Sequence, residues 1–201
     1  QIEHVQGLFN SVREMLPMLE YLQKEMKERG DLLDHHEVAH IDDIPNPPPY
    51  IILCIDEFAL LKKEKKIWDL IEQISSIGRA LGVFLILSVL RPDRNIMDGA
   101  LKNNLTVRMG FRCADLINAR IIGTPGSEKL TKEGRMLLKI SKEKDLKEIQ
   151  APYLTLEACK NILEGYKCPK PKNRFKAPSN ASDNVIDLKE SDLNIFEVLD
   201  Q

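Results

Sequence analysis

The strongest constraint on the fold is the block from Tyr50 to Leu90. Tyr50-Ile51-Ile52-Leu53-Cys54-Ile55 is an unbroken apolar run, preceded by Pro45-Asn46-Pro47-Pro48-Pro49 and closed by Asp56-Glu57. Prolines remove amide donors and force extended backbone, so the run predicts a short parallel strand buried on both faces. Between Lys62 and Leu81, residues Ile67, Leu70, Ile71, Ile74, Ile77 and Leu81 share one helical face, and Gly82 ends it. A second apolar run, Val83 to Leu90, follows. Strand, helix and strand at this spacing close as a right-handed crossover, which makes the chain an α/β protein with helices covering a mainly parallel sheet.

The flanking segments are less constrained. From the start to Arg29, Val5, Leu8, Phe9, Val12, Met15, Leu19, Leu22 and Met26 keep helical spacing. Pro17 is expected to begin a second helix and Gly30 to end it, giving two helices or one kinked one. Asp31 to Pro49 reads as a linker or surface loop. Further strands are expected over Val107–Arg112, Arg135–Ile140 and Ile149–Tyr153. Asp115 and Thr155 are expected to cap helices running to Ile122 and Tyr166. Pro169 to Asn184 has linker composition, and Val185 to Leu199 reads as an acidic tail or docking helix. One domain over 1–168 with a tail over 169–201 follows.

A formal net charge of −2 gives no global electrostatic footprint for nucleic acid, so any such contact must be local. Cys54, Cys113, Cys159 and Cys168 have no C-x-x-C spacing, and the first two are expected in buried strands, which suits free thiols in a reducing compartment. No apolar stretch reaches the roughly 18 residues that span a bilayer. The chain starts at Gln1, already inside an apolar pattern, so upstream sequence is expected.

The first strand ends in two carboxylates, at the sheet edge where α/β proteins bind ligands. A nucleoside triphosphatase needs both: one on the magnesium side and one to orient the attacking water. By position Asp56 takes the first role and Glu57 the second. The alternative is that the pair marks the solvent end of a strand. No G-x-x-x-x-G-K-[S/T] loop is present, since neither Gly99–Lys102 nor Gly123–Lys129 has its spacing. These 201 residues alone are therefore expected to bind ATP weakly or not at all, and to be inactive. His35, His36 and His40 lack a completing zinc ligand and read as a solvated loop. The Lys62-Lys63-Glu64-Lys65-Lys66 run is either a wet helix face or a DNA contact.

The segment Tyr50 to Ala59 resembles the Walker B region of the FtsK/SpoIIIE family of DNA translocases, and the likeness continues in order. Arg79-Ala80-Leu81-Gly82-Val83-Phe84-Leu85-Ile86-Leu87 is similar to that family's R-A-x-G-[IV]-H-L-[IV]-L passage, and Arg91-Pro92 stands where it has T-Q-R-P. Gly99 to Asn104 resembles G-x-I-K-A-N, Val107 to Phe111 resembles x-R-I-A-F, and Arg120-Ile121-Ile122 resembles S-R-T-I-L. Pro125 to Leu130 with Gly134-Arg135-Met136-Leu137 resembles G-A-E-x-L followed by G-D-M-L. The likeness covers about half the chain, 49–153. Val89-Leu90 replace the family's Thr-Gln, Phe84 its histidine and Arg135 its aspartate. The first departure removes a polar group that could sense the γ-phosphate. Together they suggest a divergent branch, such as coupling proteins of integrative conjugative elements.

The resemblance implies a RecA-like P-loop NTPase core, truncated before the phosphate-binding loop, that uses ATP and Mg2+. It implies a membrane-associated motor at the cytoplasmic face of a bacterial membrane, anchored by upstream segments. DNA, sister subunits in a hexameric ring and a relaxase or secretion-channel component are the implied partners. Glu57 is the implied catalytic base and Asp56 the magnesium-side carboxylate. Arg108 is the implied trans arginine finger, with Arg91 and Arg79 competing for that electrostatic role. Lys102 and Asn104 are candidates for phosphate contact or for turn capping. A type VII-like protein secretion ATPase and a degenerate, non-catalytic ring module remain as alternatives.

Overall fold

The computed structural model describes residues 2, 4–97 and 99–167, so the expected tail over 169–201 and Cys168 lie outside the described residues. Helix α1 spans Val12–His36 as one element. Ser11 caps it, its hydroxyl accepting the Glu14 amide at 3.3 Å. This corrects three expectations. The apolar pattern before Ser11 is not helical, and Leu8 is 82% exposed. Pro17 lies inside the helix rather than starting one, and Gly30 does not stop it. The stop comes at Glu37, in left-handed conformation at φ 54°, where its amide and that of Val38 return to Asp34 and Leu33.

The expected surface loop after α1 is partly core, because Ile41 and Ile44 are 0% and 5% exposed. Strand β1 is Ile51–Ile55, helix α2 is Lys65–Ile77 and strand β2 is Val83–Leu87. Short 3-10 turns at Phe58–Lys63 and Gly78–Leu81 flank α2. β1 and β2 pair in parallel, with Ile51 opposite Val83 and Ile55 opposite Leu87. Gly82, at φ +70°, reverses the chain into β2, and its carbonyl accepts the Ile51 amide at 2.9 Å.

The main core lies between α1, α2 and one face of this pair. Met18, Leu19, Leu22 and Met26 of α1 join Ile67, Leu70, Ile71 and Ile74 of α2, with Ile55, Phe58 and Val83. Fully burying each large aliphatic side chain contributes about 1.5–3 kcal/mol. Phe58 stacks on Trp68 with centroids 5.8 Å apart, and Lys62 sits 4.2 Å over the Trp68 ring. Lys66 pairs with Glu20 of α1. Two lysines of the charged run are thus engaged within the chain.

Arg29 is 3% exposed and joins three segments. It donates to the carbonyls of Leu81 at 2.9 Å and Pro49 at 2.8 Å, and pairs with Glu25 at 2.9 Å. A buried guanidinium is tolerable because its donors are matched.

The expected burial of β1 on both faces is not what the described residues have. Ile52 is 62% exposed, Ile86 is 56% exposed and Cys54 is exposed too. Alternation decides this, since only Ile51, Leu53 and Ile55 point to the α1–α2 side.

Residues 99–163 form a second layer. Helix α3 is Gly99–Asn104, strand β3 Val107–Phe111, helix α4 Leu116–Ile122, strands β4 and β5 Arg135–Ile140 and Lys147–Gln150, and helix α5 Leu156–Leu163. β3, β4 and β5 pair antiparallel in that order, in a sheet separate from β1–β2. Cys113 follows β3 and is half-buried rather than within a buried strand. β5 ends earlier than expected: the Ala151 amide still bonds Gly134 at 2.8 Å, but Pro152 has no amide to extend the ladder. Asp115 and Thr155 cap α4 and α5 as expected, accepting from Asn118 at 2.8 Å and Ala158 at 3.1 Å. No described helix is long and apolar enough to cross a membrane.

Candidate nucleotide site

Parallel pairing puts the carboxyl ends of β1 and β2 side by side, so Asp56 and Glu57 emerge beside Ser88. Asp56 Oδ1 accepts from the Ser88 hydroxyl and, at 3.0 Å, from the Glu57 amide. That amide also lies 3.3 Å from Ser88 Oγ. Glu57 Oε2 accepts the Leu90 amide at 2.9 Å. Two backbone bonds close the clamp: Ser88 amide to Ile55 carbonyl at 3.0 Å, and Phe58 amide to Ser88 carbonyl at 3.1 Å.

Glu57 itself is left-handed, at φ 45° and ψ 49°. A non-glycine residue there costs roughly 1 kcal/mol and persists only when its surroundings hold it. Here the surroundings are the end of β2. The turn aims the Glu57 carboxylate back toward Leu90 instead of along the strand. Asp56 is exposed and Glu57 half-buried, so both carboxylates are within reach of a solvent-borne ligand.

Oxygen donors suit a hard divalent cation such as Mg2+. Both bonds to the Asp56 carboxylate end on Oδ1, and among the described residues Oδ2 accepts none. The pair therefore fits the magnesium-side role, with one oxygen held and one available. No group of three or more His, Cys, Asp or Glu residues forms a protein-only metal cage among the described residues.

The other predicted residues are dispersed. Arg91 follows β2 by four positions, is exposed, and makes no hydrogen bond or ion pair among the described residues. Arg108 lies on β3 and is bound within its own chain: Nη2 donates to the Lys102 carbonyl at 2.6 Å, and its buried Nε has no hydrogen-bond partner among the described residues. Gly123 leaves room for it, since a Cβ there would sit 2.6 Å from Arg108 Nη1. Lys102 Nζ donates to the Arg120 carbonyl at 3.0 Å, near the end of α4, where carbonyls lack helical partners. Asn104 donates to Ser75 Oγ at 3.1 Å and ties α3 to α2.

Burial pushes the Lys102 ammonium below the usual lysine range, aided by repulsion from Arg108 and Lys139, and burial lowers Arg108 as well. Arg108 and Lys139 are directly opposite across β3 and β4, which is the source of that crowding of like charge. Thus the structure gathers Asp56 and Glu57 into one site, leaves Arg91 without a hydrogen bond or ion pair among the described residues, holds Lys102 and Arg108 within the second layer, and ties Asn104 to α2.

Sequence reasoning missed Ser88 and the Leu90 amide. A lone hydroxyl within an apolar run carries no periodic signal, and a backbone amide carries none at all. The strand register was the missing information.

No protein-family model matches the chain. It is 29% identical over 201 residues to the DNA translocase FtsK of Borreliella burgdorferi, covering 92% of this chain and 25% of that protein. It is 30% identical over 166 residues to the DNA translocase FtsK of Tropheryma whipplei, covering 73% of this chain and 22% of that one. The chain thus spans a quarter or less of the length of these curated relatives. Among solved structures, it is similar to the conjugation coupling protein TcpA of pCW3, in monomer form with ATPγS. The TM-score is 0.64 at 26% identity, over 70% of this chain and 44% of that one. It is also similar to the cytoplasmic domain of the type VII secretion ATPase EccC of Thermomonospora curvata. There the TM-score is 0.70 at 25% identity, over 90% of this chain and 24% of that one. The chain is thus a homologue of FtsK DNA translocases over most of its own length and has the fold of P-loop ATPase motor domains.

Proposed function

We propose that this chain is part of an ATP-driven motor that moves DNA, in conjugative transfer or chromosome segregation, and that Asp56 and Glu57 are its hydrolytic carboxylates. The observation that carries the reading is the clamp at the ends of β1 and β2. It holds two adjacent carboxylates apart in role, Asp56 tied through Oδ1 and Glu57 turned back by a left-handed backbone.

In this reading Asp56 holds hydrated Mg2+, which neutralises phosphate charge when bound. Glu57 orients the attacking water and accepts its proton, and to do so it exchanges the Leu90 amide for that water. Positioning and charge stabilisation account for most of the catalysis in such phosphoryl transfers. Arg91, exposed and making no hydrogen bond or ion pair among the described residues, competes with Arg108 and Arg79 for the arginine role. Arg108 serves as a trans finger only after releasing the Lys102 carbonyl. Lys102 and Asn104 reach phosphate only by giving up the Arg120 carbonyl and Ser75 Oγ, respectively. The motor works as a ring, a hexamer by family likeness, on the cytoplasmic face of a bacterial membrane, with anchoring outside these residues. Without a phosphate-binding loop, residues 1–201 alone turn over no ATP.

DNA is favoured as the substrate because the curated relatives are DNA translocases, while the likeness to EccC supports a protein-secretion motor as the second reading. The full-length protein is expected to hydrolyse ATP faster when double-stranded DNA is added. Stimulation by a secreted substrate peptide and not by DNA would move the assignment to secretion. Absence of any turnover would leave a non-catalytic ring module.

A further inference from the structure

We propose that Ser88 is a positioning residue of the nucleotide site: its hydroxyl fixes the Asp56 carboxylate through one oxygen and leaves the other for a hydrated divalent cation. The inference rests on the ATPase reading above and deepens it.

A serine hydroxyl has one proton and two lone pairs. At Ser88 the proton goes to Asp56 Oδ1, while Oγ accepts the Glu57 amide at 3.3 Å. One side chain therefore restrains the carboxylate on the metal side and the backbone of the proposed base. The hydroxyl is itself held in place, because both backbone groups of Ser88 are bonded to the β1 end, to Ile55 at 3.0 Å and Phe58 at 3.1 Å. Its remaining freedoms are rotation about χ1 and of the hydroxyl proton about Cβ–Oγ.

No hydroxyl side chain follows Ser88 directly in the chain. The next residues are Val89, Leu90, Arg91 and Pro92. Where the family pattern has Thr-Gln, this chain has two apolar side chains, one of them 88% exposed. Ser88 supplies a polar group at the same edge, one position earlier. It acts on Asp56 rather than on substrate, so it positions without being catalytic.

An alanine at 88 keeps both backbone bonds and lets the Asp56 carboxylate rotate. Preorganisation worth about 1.4 kcal/mol is tenfold in affinity.

The test uses the full-length protein, with Mn2+ binding followed by electron paramagnetic resonance in the presence of ATPγS. Ser88→Ala is expected to weaken Mn2+ binding about tenfold and to raise the Mg2+ concentration for half-maximal turnover similarly. KM for ATP at saturating metal should stay near wild type. Ser88→Thr, which keeps the hydroxyl, should restore both. Wild-type Mn2+ affinity in Ser88→Ala overturns the inference. So does a loss that Ser88→Thr fails to restore. A wild-type protein that binds neither ATPγS nor Mn2+ overturns the ATPase reading itself, a different result from an active wild type indifferent to Ser88→Ala.

Discussion

The two layers of the molecule are built on different principles. In the first, α1, α2 and the parallel pair enclose a continuous core, and every member of the main cluster from Met18 to Val83 belongs to it; Leu101 alone comes from beyond. In the second, β4 has no fully buried residue, and Val107, Met109 and Phe111 of β3 are each about half exposed. Its interior is small and partly polar, with Thr124 and Ser127 both at 0% exposure. Its cations, Lys102 and Arg108, serve as internal props. The first layer therefore carries the stability and the carboxylate site, and the second depends on a few close fits.

The largest expected contrast is between a core position of the first layer and the open face of the second. Ile71→Ala, at a site with 0% exposure, should cost about 3–4 kcal/mol of global stability in denaturant unfolding. Met109→Ser, on the open face of β3, should stay within about 0.5 kcal/mol. A large loss at Met109 would mean that this face is covered and the two layers are alike.

Gly110→Ala sharpens the contrast by asking for a close fit where the core is thin. A Cβ there would meet Thr124 Oγ1 at 1.9 Å, and Thr124 has no exposed surface into which to retreat. The expected cost is roughly 2 kcal/mol from overpacking. It should be concentrated in β3 and α4, read as faster amide exchange there, with the α1 and α2 amides still protected. Uniform loss of protection across both layers would instead make the molecule one cooperative unit.

The smallest effect concerns the turn joining layer and chemistry. Glu57→Gly should be less destabilising than Glu57→Ala by about 1 kcal/mol, because only glycine enters the left-handed region freely. Both remove the carboxylate and should be equally inactive. Equal stability of the two variants would show that the backbone at 57 is not strained.

Much of the first layer was legible in the sequence. Apolar runs bounded by prolines and by Asp56-Glu57, with a helical stripe from Ile67 to Leu81 between them, leave few other folds. The acidic pair was legible because a strand of known direction delivers its last residues to a known edge. The continuity of α1 was obscured by Pro17 and Gly30, whose local preferences were overridden by the packing of Met18, Leu19, Leu22, Met26 and Leu33. Arg29 as a buried joint was illegible, since its partners are carbonyls of residues 49 and 81, distant in sequence. The same holds for Ser88, which meets Asp56 only once Ile55 is set opposite Leu87. In the second layer, residue patterns predicted strands but not that they pair antiparallel and apart from β1–β2.

The most direct test of the account compares wild type and Glu57→Gln in the full-length protein, measuring ATP hydrolysis with and without double-stranded DNA. The substitution keeps the side chain's size and its acceptor for the Leu90 amide while removing the base. The account predicts DNA-stimulated turnover in the wild type and a fall of at least a hundredfold in the variant, with ATP binding retained. Wild-type turnover in Glu57→Gln would contradict it.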